Sequence, residues 1–175
     1  MREAMVHATR AAVRASGGRP VPAANLHVTL AFLGSVPERR LGELAEIAKS
    51  AATRPGGGGA DSPGGSLGLT FDHLEYWRGA QLLCALPAGT PTSIVELARR
   101  LQGSLAASGF APDLKPFRPH VTIVRKVSRP GPMERIDPVA WGFTGLSLIE
   151  SRTLPAGPQY DELESFPLRI QGSSR

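Results

Sequence analysis

Small apolar residues at Ala4, Met5, Ala8, Ala11, Ala12 and Ala15 recur with helical spacing, and Gly17-Gly18 ends the run. The period then changes. From Leu26 to Leu33 the chain alternates, with Leu26, Val28, Leu30 and Phe32 on one side and His27, Thr29, Ala31 and Leu33 on the other. That pattern predicts a strand whose first set faces a core. Ser35 and Glu38 have capping-box spacing with Pro37 between them, and Leu41, Leu44, Ala45 and Ala48 continue as a second helical stripe. From Pro55 to Gly68 the chain is dominated by Gly, Ser and Pro, which predicts a flexible loop of about residues 55–68. It lacks the Gly-Lys-Ser/Thr ending of a nucleotide-binding loop.

Two strands are expected at about residues 69–74 and 81–86, joined through Tyr76-Trp77-Arg78-Gly79. Thr90-Pro91 opens the strongest helix, with Ile94, Leu97, Ala98, Leu101 and Leu105 on one face and Gly109 as its stop. The segment Lys115-Pro116-Phe117-Arg118-Pro119 leads into a strand over residues 120–127. Further strands are expected near 142–150 and 164–170, with turn residues from Pro155 to Pro158 between them. A weak internal repeat emerges: helix, glycine stop, Pro-bearing loop and strand occur twice. Such a repeat predicts two similar lobes related by a pseudo-two-fold, with a cleft between them.

Composition narrows the field only slightly. At 175 residues, 41% hydrophobic and 20% charged, this is an ordinary globular chain with enough length for a proper core. The formal charge of +5 favours an anionic partner, nucleic acid first, although the cations are scattered along the sequence. Cys84 is the single cysteine, within the apolar run Leu82-Leu83-Cys84-Ala85-Leu86. It reads as core rather than nucleophile, and a chain without an internal disulfide suits a reducing cytoplasm. No apolar stretch is long enough for a membrane span, and the N-terminus has no apolar signal core.

Candidate chemistry lies in the two strand words His27-Val28-Thr29-Leu30 and His120-Val121-Thr122-Ile123, which hold two of the four histidines. In an extended strand His27 points the same way as Thr29, and His120 the same way as Thr122. Each word thus presents an imidazole beside a hydroxyl. Two such faces suit phosphodiester cleavage, because a neutral imidazole and an imidazolium coexist near neutrality and hydroxyls can hold nonbridging phosphate oxygens. A metal site is not expected, since neither word has Asp or Glu within two residues. A serine triad is not expected. His7 reads as an exposed helix residue and His73 as a strand residue without a second copy.

The words 25–34 (Asn25-Leu26-His27-Val28-Thr29 onward) and Arg118-Pro119-His120-Val121-Thr122-Ile123-Val124-Arg125 resemble those of the two-histidine phosphoesterases. Within these the sequence is most similar to the RNA 2′,3′-cyclic phosphodiesterases, formerly called 2′-5′ RNA ligases. The likeness extends to Phe71-Asp72-His73-Leu74-Glu75-Tyr76-Trp77 and to the tail from Leu148 through Gly157-Pro158-Gln159-Tyr160 to Leu168. It implies a bilobal α+β fold, with antiparallel sheets and flanking helices about a central cleft, as a single domain spanning residues 1–175. It implies metal-independent, cofactor-free hydrolysis of an RNA 2′,3′-cyclic phosphate to a 2′-phosphate end, with reversible 2′-5′ ligation in some members. The partners so implied are RNA bearing that end, or tRNA fragments, met in the cytoplasm by a monomer and away from membranes.

Carried onto this chain, the resemblance makes His27 the general acid and His120 the general base, although a symmetric pair permits the reverse. Thr29 and Thr122 would hold phosphate oxygens. Arg125 matches a phosphate-contacting arginine, but strict alternation puts it on the opposite face from His120, so a bulge or strand end must bring it round. Phe32 would stack on a base if it does not face the core. Family members usually open with a strand of the form Arg-x-Phe-hydrophobic-Ala-hydrophobic, whereas Met1 here leads almost directly into the first helix. Two other readings stand beside this one: a phosphodiesterase for small cyclic phosphates on a nucleotide or ADP-ribose derivative, and a non-catalytic RNA-binding module.

Overall fold

The first helix, α1 (Arg2–Ala15), buries Met5 and Thr9 and ends at Ser16. Gly17 then takes a left-handed φ of +62°, which a side chain would resist. Gly18 passes so close to the neighbouring sheet that a Cβ there would lie 2.5 Å from Val124 Cγ1 and 2.7 Å from the Arg125 carbonyl. The glycine pair is therefore both a helix stop and a close approach to the second histidine strand. A computed structural model describes residues 1–54, 67–112, 115–131, 134–154 and 157–170 of the chain.

The fold is α+β, and the chain divides into two compact units. The first contains residues 1–29, 68–90 and 118–141. Its sheet has the order β1-β5-β4-β3-β6, built from β1 (Arg19–Pro20), β3 (Leu67–Trp77), β4 (Leu82–Pro87), β5 (Val121–Arg125) and β6 (Glu134–Phe143). β5 pairs antiparallel with both β1 and β4, and β4 with β3. One sheet face buries Leu74, Leu83, Ala85 and Val121. Phe71 is fully buried and meets Trp141 edge-on with ring centroids 6.0 Å apart. The strand β6 was not expected from the sequence. It carries Pro138 and lies at an edge of the sheet, where proline is tolerated.

The second unit contains residues 30–67, 91–117 and 142–175. Here α2 (Leu41–Ala52) packs on α3 (Thr92–Ala107) and on the hairpin of β7 (Gly145–Leu154) and β8 (Gly157–Pro167). A short parallel pair, β2 (Thr53–Arg54) with β9 (Arg169–Ile170), closes it. Arg40 donates to the Ser108 carbonyl at the end of α3 and lies 3.6 Å from the Phe110 ring centroid, a cation placed at a helix C-terminus. The Gln102 side chain donates to the Leu30 carbonyl at 3.1 Å and holds that segment against α3.

Several sequence expectations need correction. Residues 26–33 are not a ladder strand; the described sheets have none between Pro20 and Thr53. Without neighbours to impose a pleat the alternation relaxes: Leu26 is buried, Val28 and Leu30 are half-buried, and Phe32 is 66% exposed rather than core. The Ser35–Glu38 capping box does not form; a 3₁₀ turn with Pro37 as its N-cap precedes α2 instead. Of the expected loop, residues 55–66 lie outside the described residues, while Leu67 and Gly68 already belong to β3. Residues 155–156 of the expected turn also lie outside them, and Gly157-Pro158 opens β8. The sequence repeat does not map onto the two units: α1, His27 and His120 share the first, and α3 is in the second.

Candidate active site

The two histidines are held by the same device. His27 Nδ1 lies 2.6 Å from the Asn25 carbonyl oxygen, and His120 Nδ1 lies 2.9 Å from the Arg118 carbonyl oxygen. A carbonyl offers only lone pairs, so each Nδ1 carries the proton and donates it. Each Nε2 is thereby left as the working atom. The i to i−2 reach is local, and in both words it depends on an extended backbone just ahead of the Val-Thr pair. Burial is the largest cause that lowers the His120 pKa, and the His27 charge adds to it. The Arg118 charge acts in the same direction, while the hydrogen bond to its carbonyl opposes.

Register places the other groups. Thr122 is opposite Cys84, which is opposite Glu75; Arg125 is opposite Leu82, which is opposite Trp77. Leu83 pairs with Val124 while Cys84 pairs with Thr122, so Ile123 is an extra residue on β5. This bulge puts Thr122 and Val124 on opposite faces and returns Arg125 to the Thr122 side. Of the bulge or strand end expected to bring Arg125 round, the register shows a bulge, at Ile123. Consistent with that, the Arg125 and Arg118 charges both act on the Cys84 thiol. One face of the central three strands therefore carries Glu75 and Trp77, then Cys84, then Thr122 and Arg125, with His120 just ahead of β5, which begins at Val121 rather than at residue 120. Thr29 is exposed in the same compact unit, two residues after His27. Phe32 falls in the other unit, with its ring exposed.

Cys84 is fully buried and its thiol is pushed up to about 11, chiefly by burial, which fits the core reading. Its sulfur lies 4.0 Å from Thr122 Oγ1. Three neighbours of the site carried no signal of their own in the sequence. Both terminal nitrogens of the Arg118 guanidinium donate to the Glu75 carboxylate. Arg118 also lies 5.4 Å from the Trp77 ring centroid, and the Trp77 ring sits 4.4 Å from that of His120, tilted by 52°. These contacts join β3 to the approach to β5, more than 40 residues away in sequence. His73, on the same face of β3, is paired with Asp72 at 2.8 Å. Among the described residues no three His, Cys, Asp or Glu side chains converge as a metal-ligand set. No helix among them is long and apolar enough to cross a membrane.

This arrangement can take one proton and give another, with hydroxyls and a guanidinium at hand for an anion. Comparison with known proteins identifies the family. Residues 3–56 and 85–160 match the family described as LigT-like phosphoesterase. An RNA 2′,3′-cyclic phosphodiesterase of Thermus thermophilus is 33% identical over 97% of this chain and 85% of its own length. One from Escherichia coli is 32% identical over 73% of this chain and 66% of its own length. The crystal structure of E. coli LigT complexed with 3′-AMP superposes with a TM-score of 0.80 at 27% identity, covering 95% of this chain and 90% of that one. A Thermus thermophilus structure superposes at 0.74, also with 27% identity, covering 98% and 93%. Two anchored histidine words, their register partners and a family match over most of the length lead to one conclusion: this chain belongs to the LigT-like phosphoesterases.

Proposed function

We propose that this protein is an RNA 2′,3′-cyclic phosphodiesterase that opens the cyclic phosphate to a 2′-phosphate and a free 3′-hydroxyl. The observation that carries this is the matched anchoring of His27 and His120, each presenting Nε2 from one compact unit. His120 Nε2 accepts a proton from water as the water oxygen bonds to phosphorus. The bond from phosphorus to O3′ breaks, and His27 donates its Nε2 proton to the departing oxygen. Thr29 and Thr122 hydroxyls donate to the nonbridging oxygens, and Arg125 offsets the charge that builds there. With an RNA 5′-hydroxyl in place of water, the same steps form a 2′-5′ linkage.

The relatives' names and the LigT complex with 3′-AMP support an RNA end as substrate. The test is hydrolysis of a short RNA bearing a 2′,3′-cyclic phosphate, in EDTA, with the product read by phosphorus NMR. The expected product is the 2′-phosphate. His27→Ala and His120→Ala should each lose at least about 10²-fold in rate while remaining folded. A 3′-phosphate product, or wild-type turnover in either variant, overturns the assignment.

A further inference from the structure

Trp77 makes no use of the polar end of its side chain. Its indole Nε1 is buried and has no hydrogen-bond partner among the described residues. A buried orphan donor costs roughly 1–3 kcal/mol, so what Trp77 contributes lies in its ring rather than its N–H. What its ring touches is His120, at 4.4 Å, and the Arg118 guanidinium, at 5.4 Å. Arg118 is itself fixed at both ends. Its guanidinium is held by Glu75, and its backbone carbonyl accepts the His120 Nδ1 proton. Glu75, Trp77, Arg118 and His120 thus form one closed cluster.

An indole face attracts cations, and by itself would favour a protonated imidazole. Two features of this cluster oppose that. The rings are tilted by 52° rather than stacked, and the indole already carries the Arg118 cation. A second cation on the same ring would be repelled. Trp77 also takes water away from one side of the imidazole, and loss of hydration disfavours the charged form. The charges that act on His120 are those of His27 and Arg118, both of which disfavour imidazolium. Glu75, the anion on this face, is engaged by Arg118. Of the other titratable groups there, His73 is taken up by Asp72 and Cys84 by its buried contact with Thr122. Arg125 adds further positive charge on the same face.

We infer that Trp77 is a positioning residue that keeps His120 neutral, with its Nε2 lone pair available to the attacking water. This rests on the two-histidine reading above and makes it asymmetric: His120 is the base and His27 the acid. Trp77 touches neither water nor phosphate in this role. It acts through the imidazole.

The test reads the His120 ring directly by NMR titration, and the pH dependence of kcat/KM on a 2′,3′-cyclic mononucleotide alongside it. In the wild-type protein His120 should titrate below the ordinary range for an exposed histidine and show Overhauser contacts to the indole protons. Trp77→Leu should move the titration and the acid limb of the profile to higher pH. Its kcat/KM should then fall at least about threefold more near pH 5.5 than near pH 8. Trp77→Phe keeps an aromatic face without the orphan N–H, and should leave the limb in place. An acid limb unmoved in folded W77L, or wild-type His120 without indole contacts, overturns the inference. The second measurement needs no variant to fold. If the limb stays put while His120→Ala is inactive, the inference falls alone and the proposed reaction stands. If wild-type protein does not turn over, the reaction falls, and the ring titration still decides whether Trp77 holds His120 neutral.

Discussion

Thr122→Val exchanges a hydroxyl for a methyl group of the same shape on β5, and it separates catalysis from folding. On β4 the hydroxyl meets Cys84 Sγ at 4.0 Å, a long contact even for a sulfur hydrogen bond. Such a contact belongs at the low end of hydrogen-bond contributions, about 0.5 kcal/mol. For a chain of this size that is roughly 1–2 °C in Tm. Valine also keeps the β-branch that suits a strand. In the proposed reaction the same hydroxyl would face the charge developing on a phosphate oxygen. Removing one fixed donor from such a position costs about 10²–10³ in rate, or about 2.7–4 kcal/mol of transition-state stabilisation. The assay is kcat/KM on a 2′,3′-cyclic mononucleotide, with a thermal melt of the same preparation. Cys84→Ala is the control: it keeps the hydroxyl and leaves a small cavity at a fully buried site, at about 1 kcal/mol in stability. A loss below about tenfold in folded T122V refutes the role given to this hydroxyl. An equal loss in Cys84→Ala refutes it too, since the effect would then come from packing along that register row.

Three further outcomes are expected. His120 has a folded pKa lowered by burial, so the unfolded state binds the extra proton first as pH falls; stability should be flat above about pH 6.5 and decline as pH drops from there through the lower folded value. Urea denaturation across that window checks this, and His120→Asn should remove that part of the slope. The Cys84 thiol, fully buried and pushed up to about 11, should resist an aromatic disulfide reagent near pH 8 in the native protein and react at once in denaturant; rapid native labelling contradicts its placement. Gly18→Ala drives a Cβ against Val124 and the Arg125 carbonyl, and should cost about 1–3 kcal/mol by urea denaturation and lower kcat/KM by displacing Arg125; wild-type stability would show that this approach is looser than described.

The elements legible in the sequence are those whose signals are local. The alanine stripe of α1 and the Thr90-Pro91 start of α3 correspond to helices within a residue or two, and Gly109 ends the latter with a left-handed φ of +73°. The histidine words were legible for the same reason, since the i to i−2 anchor of each imidazole lies within its own word. Ladders are different. Residues 26–33 alternate as a strand does, but a strand needs a neighbour, and alternation without one left Phe32 exposed. The strand β6 was hidden by Pro138, because a sequence does not say which strand will lie at an edge.

From its sequence alone this protein has its helices, its two imidazole-hydroxyl words and, through them, its reaction class, because those depend on spacing along a few residues. The tertiary structure decided which face each site residue takes and what surrounds it. The extra residue Ile123 returns Arg125 to the side of Thr122, and strand pairing lays Trp77 on His120 and Glu75 on Arg118. Those contacts join groups far apart in the chain, and no local periodicity encodes them. They form only when β3, β4 and β5 pair in one register, and that register makes two similar histidines unequal.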